Sequence, residues 1–207
     1  MTRAVPLKIA VFASGSGSNF QALADAIRAG GIDATISLVV CDKPSAYVLE
    51  RAKAFEIESY LFNPKEFASR EAYEEQIVAK LQDKGIELIV MAGYMRLVTN
   101  VLVEPYYGRM INIHPALLPA FPGMDGIGQA IAYGAKVTGA TVHFVDGGTD
   151  TGPIIAQRAV EVQEGDTKET LGARIQQAEH AMLPEVVKWI ADGRVSLSGR
   201  VVTVSQC

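Results

Sequence analysis

"LKIAVFASGSGSNFQALADAI", residues 7–27, carries three signals in a fixed order. Residues 7–13 form a short, continuous apolar run, the pattern of a strand buried on both faces in a parallel sheet. A glycine- and serine-rich turn follows at 13–21. Phe20, Leu23, Ala24 and Ile27 then recur at helical spacing, and Gly30-Gly31 supplies a stop. Strand, glycine-rich turn and helix together open a doubly wound α/β sheet.

The pattern repeats along the chain. "ISLVVCD" (36–42), the weaker "ESYLF" (58–62), "IELIVMAGY" (86–94) and "GRMINIH" (108–114) are further strand-like runs. Within 66–83, Tyr73, Ile77, Val78 and Leu81 make an apolar helical stripe. This alternation predicts a mostly parallel sheet with right-handed crossovers. The second half differs. "VTGATVHFVD" (137–146) and "GPIIAQRAVEV" (152–162) read as antiparallel strands joined by "GGTDT". A long helix is predicted from Lys168 to Asp192, burying Leu171, Ile175, Ala178, Met182, Val186 and Trp189. Pro184 is expected to kink it or to begin a second segment. No repeat, low-complexity stretch or linker interrupts the chain, so residues 1–207 read as one domain with lobes of about 1–105 and 106–207.

Composition narrows the class. Hydrophobic residues make up 49% of the 207, enough for a core without disulfides. The net charge of −4 argues against nonspecific nucleic-acid binding. Cys41 and Cys207 suggest no disulfide framework. The start of the chain does not resemble a signal peptide, and no run is long enough to span a bilayer. The expectation is a cytoplasmic protein acting on small molecules, with no nucleic-acid or membrane partner and homodimer formation left open.

The turn "ASGSGSNFQ" offers backbone N–H groups and a helix dipole to an anion. Gly15 and Gly17 allow close approach, and Ser18 or Asn19 can cap the helix. A plain strand–helix turn is the bland alternative. A dinucleotide fingerprint wants glycine where Phe20 stands, although Asp42, ending the second strand, would suit a ribose hydroxyl and Lys43 an anion. A nicotinamide dehydrogenase therefore stays as a rival. No Walker lysine follows the turn.

In "INIHPALLPAFPG" (111–123), Asn112 and His114 project from the same face of a strand, roughly 6–7 Å apart. Pro115, Pro119 and Pro122 stiffen the exit. Asp150 lies in the glycine-rich loop "DGGTDTGP" (146–153). Beside His114 it would favour an imidazolium, which together with an amide suits a developing oxyanion. A structural histidine and an ordinary turn aspartate are the alternatives. G-x-S-x-G is absent. His114, His143 and His180 are widely separated in sequence and no H-E-x-x-H or C-x-x-C occurs, so no metal is expected.

These two motifs, with "SGSGSN", "SREAY" (69–73), "AGYMRLV" (92–98) and "QQAEHAMLP" (176–184), resemble the folate-dependent phosphoribosylglycinamide formyltransferases over nearly the whole chain. The resemblance implies a Rossmann-like formyltransferase fold with a nucleotide-binding lobe and a folate and catalytic lobe. It implies formyl transfer from 10-formyltetrahydrofolate, a cosubstrate, to the amine of glycinamide ribonucleotide in purine biosynthesis. Gly17, Ser18, Asn19, Phe20 and Gln21, with Gln176 and Glu179, correspond to ribonucleotide-binding positions. Arg70, Met95, Arg96, Leu97, Val98 and Asn112 correspond to folate-binding positions, and Asn112, His114 and Asp150 to the catalytic trio. On spacing alone, Met95, Leu97 and Val98 read as core, Arg70 as a solvated charge, and Gln176 and Glu179 as an exposed polar face. The loop Met124-Asp125-Gly126-Ile127 lacks the histidines that some members carry there. A formyltetrahydrofolate hydrolase and a non-catalytic nucleotide-binding module remain alternatives. No room is expected for the extra domains of methionyl-tRNA formyltransferase or formyltetrahydrofolate deformylase.

Overall fold

The computed structural model describes residues 5–206. Strands β1 (Leu7–Phe12), β2 (Ala34–Cys41), β3 (Ser59–Leu61), β4 (Leu88–Met91) and β5 (Met110–His114) alternate with α1 (Ser18–Arg28), α2 (Val48–Ala54), α3 (Arg70–Asp83) and the short α4 (Asn100–Val103). Next come α5 (Gly126–Tyr133), β6 (Val137–Phe144), β7 (Ile154–Glu161), α6 (Lys168–Ala191) and a hairpin of β8 (Val195–Ser198) and β9 (Val201–Val204). One sheet takes seven strands in the order β3-β2-β1-β4-β5-β6-β7. Pairs from β3 to β5 are parallel, and β6 and β7 are antiparallel additions. This is the expected doubly wound α/β architecture. Among the described residues, no helix is long and apolar enough to cross a membrane.

Both faces of the sheet are covered, which explains the unbroken apolar runs. Leu7, Ile9 and Val11 pack with Phe20 and Leu23 of α1, Val48 of α2 and Ile175 of α6. Ala10 and Phe12 point the other way, toward Tyr73, Ile77 and Leu81 of α3 and Leu102 of α4.

Several elements depart from the expected pattern. β4 ends at Met91 rather than near Tyr94, and the chain turns out of the sheet through Gly93 at φ 75°. α2 and α5 carry too few residues for an apolar stripe to announce them. α5 starts from Asp125, whose carboxylate accepts the Gly128 N–H (3.2 Å). α6 is one continuous helix across Pro184, so no second segment begins there. Proline costs that helix one N–H, but the neighbouring Leu183, Val186 and Val187 are buried and hold the segment in place. The buried face of α6 also includes Glu179, whereas Ala178 and Trp189 are only half-buried.

What matters for the site is the sheet's centre. From β1 the chain crosses through α1 to β2 on one side, and β4 lies against β1 on the other. Such a switch point leaves a crevice beyond the strands' C-terminal ends. There the Ser14 N–H donates to the Gly93 carbonyl (3.0 Å), joining the turn after β1 to the segment after β4.

Candidate active site

The glycine-rich turn enters α1 through Gly17, in the left-handed conformation at φ 71°. A Cβ there would come within 2.6 Å of the Val48 side chain, so only glycine fits. Ser18 and Asn19, expected as caps, do not cap the helix: no side chain bonds its first-turn N–H groups. They face α6 instead. Gln176 Nε2 donates to Ser18 Oγ (3.0 Å), and Asn19 Nδ2 donates to Glu179 Oε2 (3.0 Å). Glu179 is only 8% exposed, so it does not belong to the exposed polar face that spacing alone suggested, whereas Gln176 is exposed as that reading expects. Burial raises the Glu179 carboxyl above the ordinary glutamate range, partly offset by the Asn19 amide. The Phe20 ring is in the core, stacked edge-on against Phe55, so only its backbone can face the turn. Arg51, which sequence reasoning passed over, donates to the Ser16 carbonyl (2.8 Å) and to Gln21 Oε1 (2.9 Å) and so braces the turn. Uncapped N–H groups, an aligned helix dipole and a nearby guanidinium make a cradle for an anion.

On β5, Asn112 and His114 share one face, and the structure brings Asp150 to both. Asp150 Oδ2 lies 3.4 Å from His114 Nδ1 and accepts the Gly123 N–H at 2.7 Å. Its Oδ1 lies 3.5 Å from Asn112 Nδ2. Burial pushes the Asp150 carboxyl up, but the His143 ring, the Gly123 N–H and the charge of His114 outweigh it. The net position is below the ordinary aspartate range. His114 Nε2 donates to the Phe121 carbonyl (2.8 Å), so each ring nitrogen faces an acceptor. A ring with hydrogens on both nitrogens satisfies both; a neutral ring satisfies only one. Phe121 and Asp150 have φ values of 55° and 54°. A left-handed phenylalanine is strained, and that conformation belongs to the turn that presents its carbonyl to the histidine. Gly126 keeps the space behind: a Cβ would sit 3.2 Å from His114 Nε2.

His143 was counted at the sequence level only as a remote histidine. Separation along the chain misled: β6 pairs it directly with Asn112. Its Nδ1 donates to the Phe144 carbonyl (2.8 Å), so Nε2 accepts from Asn112 Nδ2 (3.2 Å) when the ring is neutral and can donate to Asp150 only when the ring is protonated. Nε2 is also 3.6 Å from Asp150 Oδ1. The signal was the antiparallel register, which no single strand reveals. The proline-rich exit is likewise held by more than prolines. Thr141 Oγ1 donates to the Ala116 carbonyl (2.7 Å) and accepts the Leu118 N–H (3.1 Å), while Gln157 Nε2 donates to the Leu118 carbonyl (2.8 Å).

The segment after β4 passes beside Asn112, because Met91 pairs with Asn112 across the β4–β5 ladder. Met95 and Leu97 are 62% and 57% exposed, so they are not core residues. Arg96 Nε is 2.6 Å from Asp42 Oδ2. Asp42 is therefore buried and occupied, not offered to a ribose hydroxyl, which removes the main support for the dehydrogenase alternative. Arg70 is exposed at the start of α3.

An uncapped helix start, an Asn–His–Asp cluster and an exposed apolar segment around one switch point are the parts that an α/β enzyme moving a carbonyl-bearing group would use. Residues 7–187 match the family described as formyl transferase. Phosphoribosylglycinamide formyltransferase of Bacillus subtilis is 53% identical over 181 residues, covering 87% of this chain and 93% of that protein. The crystal structure of glycinamide ribonucleotide transformylase 1 from Symbiobacterium toebii superposes with a TM-score of 0.96 at 43% identity, covering 99% of this chain and 96% of that one. The transformylase 1 structure from Geobacillus kaustophilus gives 0.88 at 48% identity, covering 90% and 99%. The chain belongs to the phosphoribosylglycinamide formyltransferase family of formyl transferases.

Proposed function

We propose that this protein transfers a formyl group from 10-formyltetrahydrofolate to the amine of glycinamide ribonucleotide, giving formylglycinamide ribonucleotide and tetrahydrofolate. The observation that carries this reading is the meeting of Asp150 with His114 and Asn112 between the α1 cradle and the exposed Met95–Leu97 segment. The relatives' names support the same substrates.

In this reading the ribonucleotide phosphate takes the N–H groups at Gly17–Asn19, with Phe20 and Gln21 behind them and Gln176 and Glu179 along one side. The folate lies along Met95, Arg96, Leu97 and Val98, with Arg70 at its edge. The amine attacks the formyl carbon; the new C–N bond forms, and the bond to the folate N10 breaks. Charge gathers on the formyl oxygen in between, where Asn112 and the His114 imidazolium donate to it. Both His114 nitrogens already face acceptors, so donation requires an exchange, and the neutral Phe121 carbonyl is the weaker partner to displace. The proton lost by the amine is returned to the departing folate nitrogen, with His114 and Asp150 placed to relay it.

The test is an assay with both substrates beside a water-only control. Folate release that needs the ribonucleotide supports transfer, whereas release that ignores it marks a hydrolase. His114→Ala is expected to lower kcat by about 100–1000-fold with far smaller changes in KM. Near-normal kcat would remove His114 from the chemistry.

A further inference from the structure

Two buried carboxylates have no part in the chemistry above, yet each holds one end of the Gly93–Thr99 segment. At the near end, Asp42 accepts from Ser14 Oγ (2.6 Å) and from Arg96 Nε (2.6 Å). Ser14 Oγ in turn accepts the Met95 N–H (3.0 Å), and the Ser14 N–H donates to the Gly93 carbonyl (3.0 Å). At the far end, Glu74 of α3 is 1% exposed. Both of its oxygens accept the Thr99 N–H (3.0 Å each), and Oε2 accepts the Thr99 hydroxyl (2.6 Å). Thr99 Oγ1 also caps α4 by accepting the Val101 N–H (3.3 Å). No strand or helix orders the residues between, although they present exposed apolar side chains.

Val98 packs against the core while Met95 and Leu97 stand exposed, and a free segment would gain by folding those two side chains inward. Holding them outward takes fixed ends, and hydrogen bonds to carboxylates are roughly twice as strong as neutral ones. A buried carboxylate also needs its partners, so it tolerates little drift.

We propose that Glu74 and Asp42 are positioning residues for the formyl donor, clamping Met95–Val98 as a pre-formed apolar platform. Asp42, through Ser14, also ties that platform to the turn carrying the phosphate cradle. The inference rests on the reading that this segment takes the folate. Glu74 acts on one substrate site, whereas Asp42 stands where the two sites join.

The clamp is tested by measuring tetrahydrofolate binding calorimetrically and by kinetics with each substrate varied in turn. Glu74→Gln and Thr99→Val are expected to raise the tetrahydrofolate Kd and the donor KM about tenfold, with kcat and the ribonucleotide KM held within about twofold. Thr99→Ser keeps the hydroxyl and should restore donor binding. Asp42→Asn should raise both KM values. If Glu74→Gln does not fold, the Thr99 pair decides alone. Unchanged Kd in folded variants overturns the clamp, as does an equal loss in both KM values and kcat that follows thermal stability. Wild-type protein that binds no tetrahydrofolate overturns the folate reading and the clamp together; binding by wild type with unaffected variants overturns only the clamp.

Discussion

Glu179 shows how far one side chain can depart from its sequence pattern. Its carboxylate is withdrawn from water between α1 and α6, and burial raises it above the ordinary glutamate range against the pull of Asn19. A raised acid binds protons more readily folded than unfolded, so it costs stability as pH rises past its unfolded value. Glu179→Gln keeps an acceptor for Asn19 and removes the charge. It is expected to raise Tm near neutral pH, to lose that gain under acid conditions, and to weaken ribonucleotide KM; melting curves at two pH values with one kinetic series check all three. Asp150 has the opposite sign. Its carboxyl sits below the ordinary value of 3.8, so its contribution is full above that value and is lost as pH falls through the depressed folded one. Asp150→Asn should lower kcat about 100-fold or more, and should flatten the acid limb of the stability profile relative to wild type. Asn112 and His114 were legible because a two-residue spacing puts side chains on one face of any strand. Asp150 was suggested only by its loop and by resemblance. His143 and Arg51 left no local trace, since each matters through a neighbour far away in sequence.

The elements were legible where their periodicity was long or their apolar runs continuous. α6 is the clearest case. Thr167 caps it by accepting the Thr170 N–H (3.3 Å), while the Thr170 hydroxyl accepts the Thr167 N–H (2.9 Å). Thr167→Ala should destabilise the protein by about 1 kcal/mol, seen as a lower denaturant midpoint at unchanged slope. Asp166 strengthens the same end: paired with Arg174, it is held down at about 2. The unbroken passage across Pro184 was not legible, because propensity describes an isolated helix and the buried residues around it decide otherwise. β4 failed in the other direction. Its apolar run continues to Tyr94, but Gly93 turns the chain out after Met91, and the residues beyond serve the crevice rather than the sheet.

Across the whole molecule, function depends on the sheet's strand order. β4 inserts between β1 and β5, so the cradle turn, the apolar segment and the Asn112–His114 strand end open onto one edge. Ile89, fully buried in β4, belongs to that spine. Ile89→Ala should cost about 2–5 kcal/mol, read from chemical denaturation, because a cavity there weakens packing against α3 and α4. By itself the sequence determined the α/β class, the antiparallel additions, the long final helix and the pairing of Asn112 with His114. All of these follow from local periodicity and from turn chemistry between near neighbours. Only the tertiary structure decided that Asp150 and His143 reach the β5 site, that Gln176 and Glu179 face the cradle, and that Asp42 and Glu74 hold the segment between them. Those meetings come from strand register and helix packing between segments up to 160 residues apart, and no periodicity encodes a distance across the fold.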